Sequence, residues 1–262
     1  MPRANRFLLP GHVWHITHRC HQREFLLKFG RDRQRWRYWL FEARKRFGLS
    51  VLNYVVTSNH VHLLVVDRGQ GEIARSMQLI AGRTAQEYNQ RKQRRGAYWE
   101  DRYHATAVDT DGYLTRCMAY IDMNMVRAGA VSHPAQWDPC GYREIQQQPT
   151  RYRVIDLAAL MSLLGIRDLN TLQRSHAAWT DEALKTEPCR RDESWSKSLA
   201  VGSQAFVARF QAQSGIATLH REIAQRGDYY RLGESGARYN SHFAPEMACL
   251  KADNAVFLDE LL

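Results

Sequence analysis

The spacing of apolar positions changes period several times along the first 110 residues, and each change marks an element. "HVWHITH" (12–18) is short, β-branched and aromatic, which predicts a strand. "RDRQRWRYWLFEARKRFG" (31–48) sets Trp36, Leu40, Ala43 and Phe47 three or four residues apart and closes on Gly48, which predicts a helix. "VLNYVV" (51–56) and "HVHLLVV" (60–66) are two strand-like runs joined by Thr57-Ser58-Asn59, a hairpin. Helical spacing returns over 72–92 with Ile73, Met77, Ile80, Thr84 and Tyr88, and "RYHATAVD" (102–109) is again strand-like. The order β-α-β-β-α-β is the split βαβ of a ferredoxin-like α+β fold, an antiparallel sheet with both helices on one face. Residues 111–128 predict a further helix for the open face. Leu114, Met118, Ile121 and Met125 form its core stripe, with Tyr113, Cys117, Tyr120, Asn124 and Arg127 about a quarter-turn away.

Beyond residue 150 the pattern changes. "QQQPT" (146–150) predicts a linker, and "VIDLAALMSLLG" (154–165) opens a region with no evident strands. Two parts are therefore expected, a mixed body over 1–150 and a mainly helical accessory region over 151–262. Charge divides at the same place. Of the 37 Lys and Arg residues and 27 Asp and Glu, 23 basic and 13 acidic fall in 1–150, so this part carries the whole net charge of +10. Such a cationic body with interleaved aromatics predicts a polyanionic partner, nucleic acid before others. Five scattered cysteines without a C-x-x-C pair fit a reducing cytoplasm, and no apolar run reaches the length of a membrane span.

The candidate chemistry starts at "TSNHVHLLVV" (57–66). Alternation along a strand puts His60 and His62 on one face, either as two ligands of a divalent metal or as polar residues at a strand end. Asn124 adds a neutral oxygen, and a His-His-Asn set suits Mg²⁺ or Mn²⁺ bridging to a phosphate. Tyr120 precedes Asn124 by one helical turn, which makes it the candidate nucleophile, with Tyr113 as rival. Arg83, Arg91, Lys92, Arg94, Arg95, Trp99, Arg102 and Arg127 are candidate contacts to a single strand, cations for phosphates and a ring for bases. Arg127 serves equally well as a support for its helix end. His12, His15, His18 and His21 recur every three residues, so no single strand face collects them, and structural or phosphate-touching roles are expected.

"NHVHLLV" followed by "YLTRCMAYIDMNMVRAGAV" resembles the bacterial single-tyrosine HUH transposases, specifically the REP-associated tyrosine transposases. The His–hydrophobic–His element is met by His60-Val61-His62. The family's helix pattern is met by Tyr120, Ile121, Asn124, Val126, Arg127, Ala128 and Gly129. The opening "MPRANRFLLPGHVWHITHR" and "GAYWEDRYH" (96–104) are also typical, so the likeness spans about 1–145. Met125 and Ser58 stand where relatives often carry proline, and "SWSKSLAVGSQAFV" (194–207) is similar to a C-terminal extension in some of them. The resemblance implies a metal-dependent cut in single-stranded DNA beside a short hairpin, leaving a 5′-phosphotyrosine and a 3′-OH able to reverse the step. It is compatible with a monomer or a homodimer. Two other readings stay open: a domesticated hairpin-binding protein with little or no cleavage, and an unrelated metal hydrolase built on His60 and His62.

Overall fold

The computed structural model describes residues 8–110, 112–186, 192–218 and 220–234. Four strands form the expected core: β1 (Val13–Arg19), β2 (Ser50–Val56), β3 (His60–Val66) and β4 (His104–Val108), in the order β2-β3-β1-β4 with every neighbour antiparallel. Helices α1 (Gly30–Phe47) and α2 (Glu72–Lys92) complete the split βαβ. The stripe of α1 behaves as its spacing requires, since Trp36, Trp39, Leu40 and Ala43 are buried. The helix stops where Gly48 turns left-handed, φ 71°, and returns its N–H to the Arg44 carbonyl at 2.9 Å. At the start of α2 the Glu72 carboxylate accepts the backbone N–H groups of Arg68 and Gln70, which ties the β3–α2 turn to the helix.

The helix expected over 111–128 is divided. α3 (Gly112–Asp122) and α4 (Asn124–Arg127) meet at Met123, whose ψ of 0° departs from helical values. The hydrogen-bond ladder nonetheless continues, from Met123 N–H to Ala119 O and from Arg127 N–H to Met123 O, both at 2.9 Å. Tyr120 and Asn124 therefore remain one turn apart. Residue 111 lies outside the described residues.

α5 (Gly141–Gln146) packs on β2, and only glycine fits its first position: a Cβ on Gly141 would stand 2.0 Å from the Asn53 amide oxygen. α6 (Leu157–Leu164) and α7 (Leu169–Thr186) follow, α6 capped by Asp156. α7 is fastened to α3 by a buried pair, His176 Nε2 to Asp122 Oδ2 at 2.8 Å. The other Asp122 oxygen accepts the Asn53 amide from β2 at 3.0 Å.

The described part of the C-terminal region is mainly helical, as expected, but it also contributes strands that the sequence pattern did not show. After α8 (Ser194–Lys197) come β5 (Ala200–Gly202), α9 (Gln204–Ser214), β6 (Arg221–Arg226) and β7 (Tyr229–Glu234). β5 pairs parallel to β4, and the sheet runs β2-β3-β1-β4-β5-β7-β6, seven strands in one layer. The β4 edge is thus filled by strands from beyond residue 150. A chain ended at residue 186 would leave that edge open and uncover Ala107 and Val108, both buried in the full chain. Such a protein is expected to aggregate, read as loss of the monodisperse peak in size-exclusion chromatography. A stable, folded 1–186 protein would show that the added strands are dispensable to the core.

Candidate active site

Register decides which side chains share a face. Thr17 lies opposite His62 on one side and His104 on the other, and His15 lies opposite Leu64 and Thr106. Residues directly opposite project to the same face, so His15, Thr17, Arg19, His60, His62, His104 and Thr106 make one polar face across three strands. α3 covers it, since Asn53, opposite Leu64, bonds the Met118 carbonyl and Asp122. The other face, with Ile16, His18, Val61 and Leu63, turns toward α2. There Trp99 stacks on His18, 4.0 Å between rings, and donates to Ala81 O of α2.

Tyr120 projects from α3 onto the histidines. Its ring centroid is 5.8 Å from His62 and 5.9 Å from His15, both edge-on, and 6.3 Å from Trp195. The Arg127 guanidinium lies over the same ring, 4.4 Å from its centroid, and donates to the Tyr120 carbonyl. The Asn124 amide nitrogen is 2.8 Å from His62 Nε2. His60 stands perpendicular to His62 with centroids 4.9 Å apart. Thr57-Ser58-Asn59 is more than a connection: Thr57 Oγ1 and Asn59 Oδ1 reach His60 Nδ1 at 2.9 and 2.7 Å, and the Thr57 hydroxyl also donates to His60 O. That hydrogen-bonded turn fixes the ring through Nδ1.

Two contributions come from beyond residue 150. The Trp195 carbonyl meets His15 Nδ1 at 2.6 Å, and the Ser198 carbonyl accepts from the Thr106 hydroxyl at 2.7 Å and meets His104 Nε2 at 2.9 Å. His15 is fully buried, and burial lowers its pKa to about 4. Burial lowers that of His104 as well. A cleft of about 210 Å³ opens beside these groups, lined by His60, His62, Arg19, Arg102 and Lys197, with Glu100 and Asp101 on its wall.

The donor set can be tested against a metal. Two ligands held about 2.1 Å from one octahedral ion at right angles lie about 3 Å apart; the Asn124 atom 2.8 Å from His62 Nε2 is the amide nitrogen, so ligation would require the amide to turn its oxygen into that place. Among the described residues no three His, Cys, Asp or Glu side chains group as a metal site, and the further side chain at His62 that could offer an oxygen is the Asn124 amide. Hard Mg²⁺ or Mn²⁺ fits such a set better than a thiolate-seeking metal.

The remaining predicted residues scatter. Arg102 lines the cleft and Arg127 lies on Tyr120. Arg91 is ion-paired to Asp32, Arg94 pairs with Glu24 at 3.2 Å, and Lys92 stands 5.7 Å from the Phe29 ring. Arg95 is exposed. Arg83 lies over Trp39 on α1, apart from the histidine face. Trp99 has one ring face covered by His18 and its indole nitrogen engaged. Tyr113 aims at the β6–β7 turn, its hydroxyl 3.5 Å from Asp228 O. The residues that sequence reasoning passed over are Arg19, His104, Lys197 and the Trp195 backbone, while for His15 it gives only a structural or phosphate-touching role. Only strand register and the late strands bring them in.

Residues 10–124 match the family model described as "Transposase IS200 like". That stretch, under half of the chain, contains β1 to β4, His60, His62, Tyr120 and Asn124, and over it the chain is similar to the IS200-like transposases. One similar solved structure is a REP-associated tyrosine transposase bound to a REP hairpin. It is 18% identical over 60% of this chain and 94% of that one, with a TM-score of 0.47. Another, from Deinococcus radiodurans R1 and described as a candidate transposase, is 16% identical over 47% of this chain and 96% of that one, with a TM-score of 0.33. No curated protein matches the sequence. Among the described residues no helix is long and apolar enough to cross a membrane.

Proposed function

We propose that this protein is a transposase, a metal-dependent enzyme that nicks and rejoins single-stranded DNA at hairpin-flanked sites, with Tyr120 as nucleophile. The observation that carries the reading is the meeting of Tyr120 from α3 and Asn124 from α4 with His62 of β3. In the forward step the Tyr120 oxygen bonds to the scissile phosphorus, and the bond from phosphorus to the 3′ oxygen breaks. The phenolic proton is lost, and the departing 3′ oxygen gains one. The product is a 5′-phosphotyrosine and a free 3′-OH, and attack by another 3′-OH reverses the step without ATP. His60, His62 and Asn124 would hold the Mg²⁺ or Mn²⁺. When bound, the ion supplies Lewis-acid polarisation of a phosphate oxygen. Arg127, spread over the Tyr120 ring, limits the ring's rotation and places positive charge beside the developing phosphodiester.

Arg19 and Arg102 supply phosphate neutralisation at the cleft, where Lys197 is paired with Glu193 at 2.7 Å. Because Arg91 and Arg94 are committed to Asp32 and Glu24, the part of the salt dependence carried by residues 91–102 is expected to rest on Lys92, Arg95 and Arg102. Neutralising these three should flatten the slope of log K against log salt by up to about 0.7 per lost contact. An unchanged slope would assign them to ordinary surface.

The experiment for the function as a whole is incubation with a labelled hairpin oligonucleotide and Mn²⁺, resolved on a denaturing gel. A covalent protein–DNA band that disappears with a chelator supports the reading. Hairpin binding with no cutting under any divalent ion would place the chain with the domesticated binders.

A further inference from the structure

We infer that His15 is a positioning residue for the metal site: together with the Trp195 backbone carbonyl it fixes His62 as the Nδ1–H tautomer, so that the Nε2 lone pair faces Asn124. The inference deepens the metal-dependent reading above and rests on it for its functional meaning.

The argument is a chain of donors and acceptors. A carbonyl oxygen only accepts, so the 2.6 Å contact between Trp195 O and His15 Nδ1 puts a hydrogen on that nitrogen. The polar partners of His15 are this carbonyl and the His62 ring, neither of which compensates a buried positive charge. His15 is therefore a neutral imidazole with its lone pair on Nε2. The 2.9 Å contact from His15 Nε2 to His62 Nδ1 then requires the hydrogen on His62 Nδ1. His62 Nε2 is left as the acceptor, and in the structure it lies 2.8 Å from the Asn124 amide nitrogen, which donates to it. The two imidazoles are nearly parallel, 13° between planes and 5.0 Å between centroids, so the contact restrains ring orientation as well as the proton. Metal-bound histidines need this kind of support, because the ligating nitrogen has to be unprotonated and aimed before the ion arrives.

The relay also gives a role to the segment around α8. Trp195 packs its ring 6.3 Å from Tyr120 while its carbonyl holds His15, so this segment reaches His62 through the histidine. Substitution of the Trp195 side chain leaves that carbonyl in place, whereas His15 itself is required.

The test is a long-range ¹H–¹⁵N correlation spectrum of the metal-free, full-length protein labelled at histidine nitrogens, with the His62 signals assigned from a His62→Gln spectrum. The expected result is a hydrogen on His62 Nδ1 and none on Nε2. A wild-type His62 in the Nε2–H form overturns the inference, and this arm needs no substitution at the buried His15. In the second arm His15→Phe keeps a ring but removes the acceptor, and His15→Gln restores an acceptor. The Phe variant is expected to populate the Nε2–H form of His62 and to bind Mn²⁺ about 10- to 100-fold more weakly by calorimetry, with metal-free hairpin binding unchanged and the Gln variant recovering most of the loss. A folded Phe variant with wild-type Mn²⁺ affinity overturns the inference. If the wild type binds no Mn²⁺ while His62 is still the Nδ1–H form, the metal reading fails and the tautomer relay stands.

Discussion

Tyr120→Phe is expected to abolish strand cleavage while leaving the protein folded and able to bind its hairpin. The substitution removes one oxygen and keeps the ring that contacts His15, His62, Trp195 and Arg127, so the packing of α3 on the sheet survives. A stability change within about 1 kcal/mol follows, measured as a urea midpoint at unchanged slope. Cleavage should fall by about a thousandfold or more, because a missing nucleophile leaves only positioning and electrostatics. Tyr113→Phe should cut nearly normally, since that hydroxyl is directed at the β6–β7 turn. Cleavage by Tyr120→Phe at the wild-type rate would mean that water attacks and the tyrosine is a packing residue.

The second large effect separates the two histidines. His60→Ala is expected to lose Mn²⁺-dependent cleavage with little loss of stability, because His60 is only partly buried and held by the adjacent turn. His62→Ala should lose cleavage too, and also stability, by about 1–3 kcal/mol, because His62 is 2% exposed and its removal leaves His15 Nε2 buried without its partner. Parallel measurements of cleavage, hairpin binding by anisotropy and urea unfolding give the split. A folded His60→Ala protein that cuts like wild type would remove His60 from the metal site.

What the sequence could reveal followed from periodicity. β1 to β4, α1 and α2 are long enough for apolar spacing to declare them, and Gly48 and the Thr57-Ser58-Asn59 turn mark their ends. Tyr120 and Asn124 were visible because four residues along a helix is a fixed geometric relation. The late strands were not. β5 is only three residues, and β6 and β7 ("REIAQR", "YYRLGE") are mostly polar and half-exposed, with no apolar alternation to read. His15 was hidden for a different reason. Its place beside His62 depends on β1 pairing with β3 in the register that sets Thr17 against His62, a long-range fact that no local pattern contains. The basic run over 91–95 read as one cationic bed, but Arg91 and Arg94 found Asp32 and Glu24 from distant segments.

The central claim is that Tyr120 becomes covalently joined to DNA. Its most direct test is to trap the reaction of the wild-type protein with a hairpin-bearing oligonucleotide and Mn²⁺, digest both polymers, and map the adduct by mass spectrometry. The account predicts a nucleotide attached to the peptide containing Tyr120, with the phosphate on the tyrosine oxygen. Attachment at Tyr113, or cut DNA bearing a free 5′-phosphate with no adduct on any peptide, would contradict it.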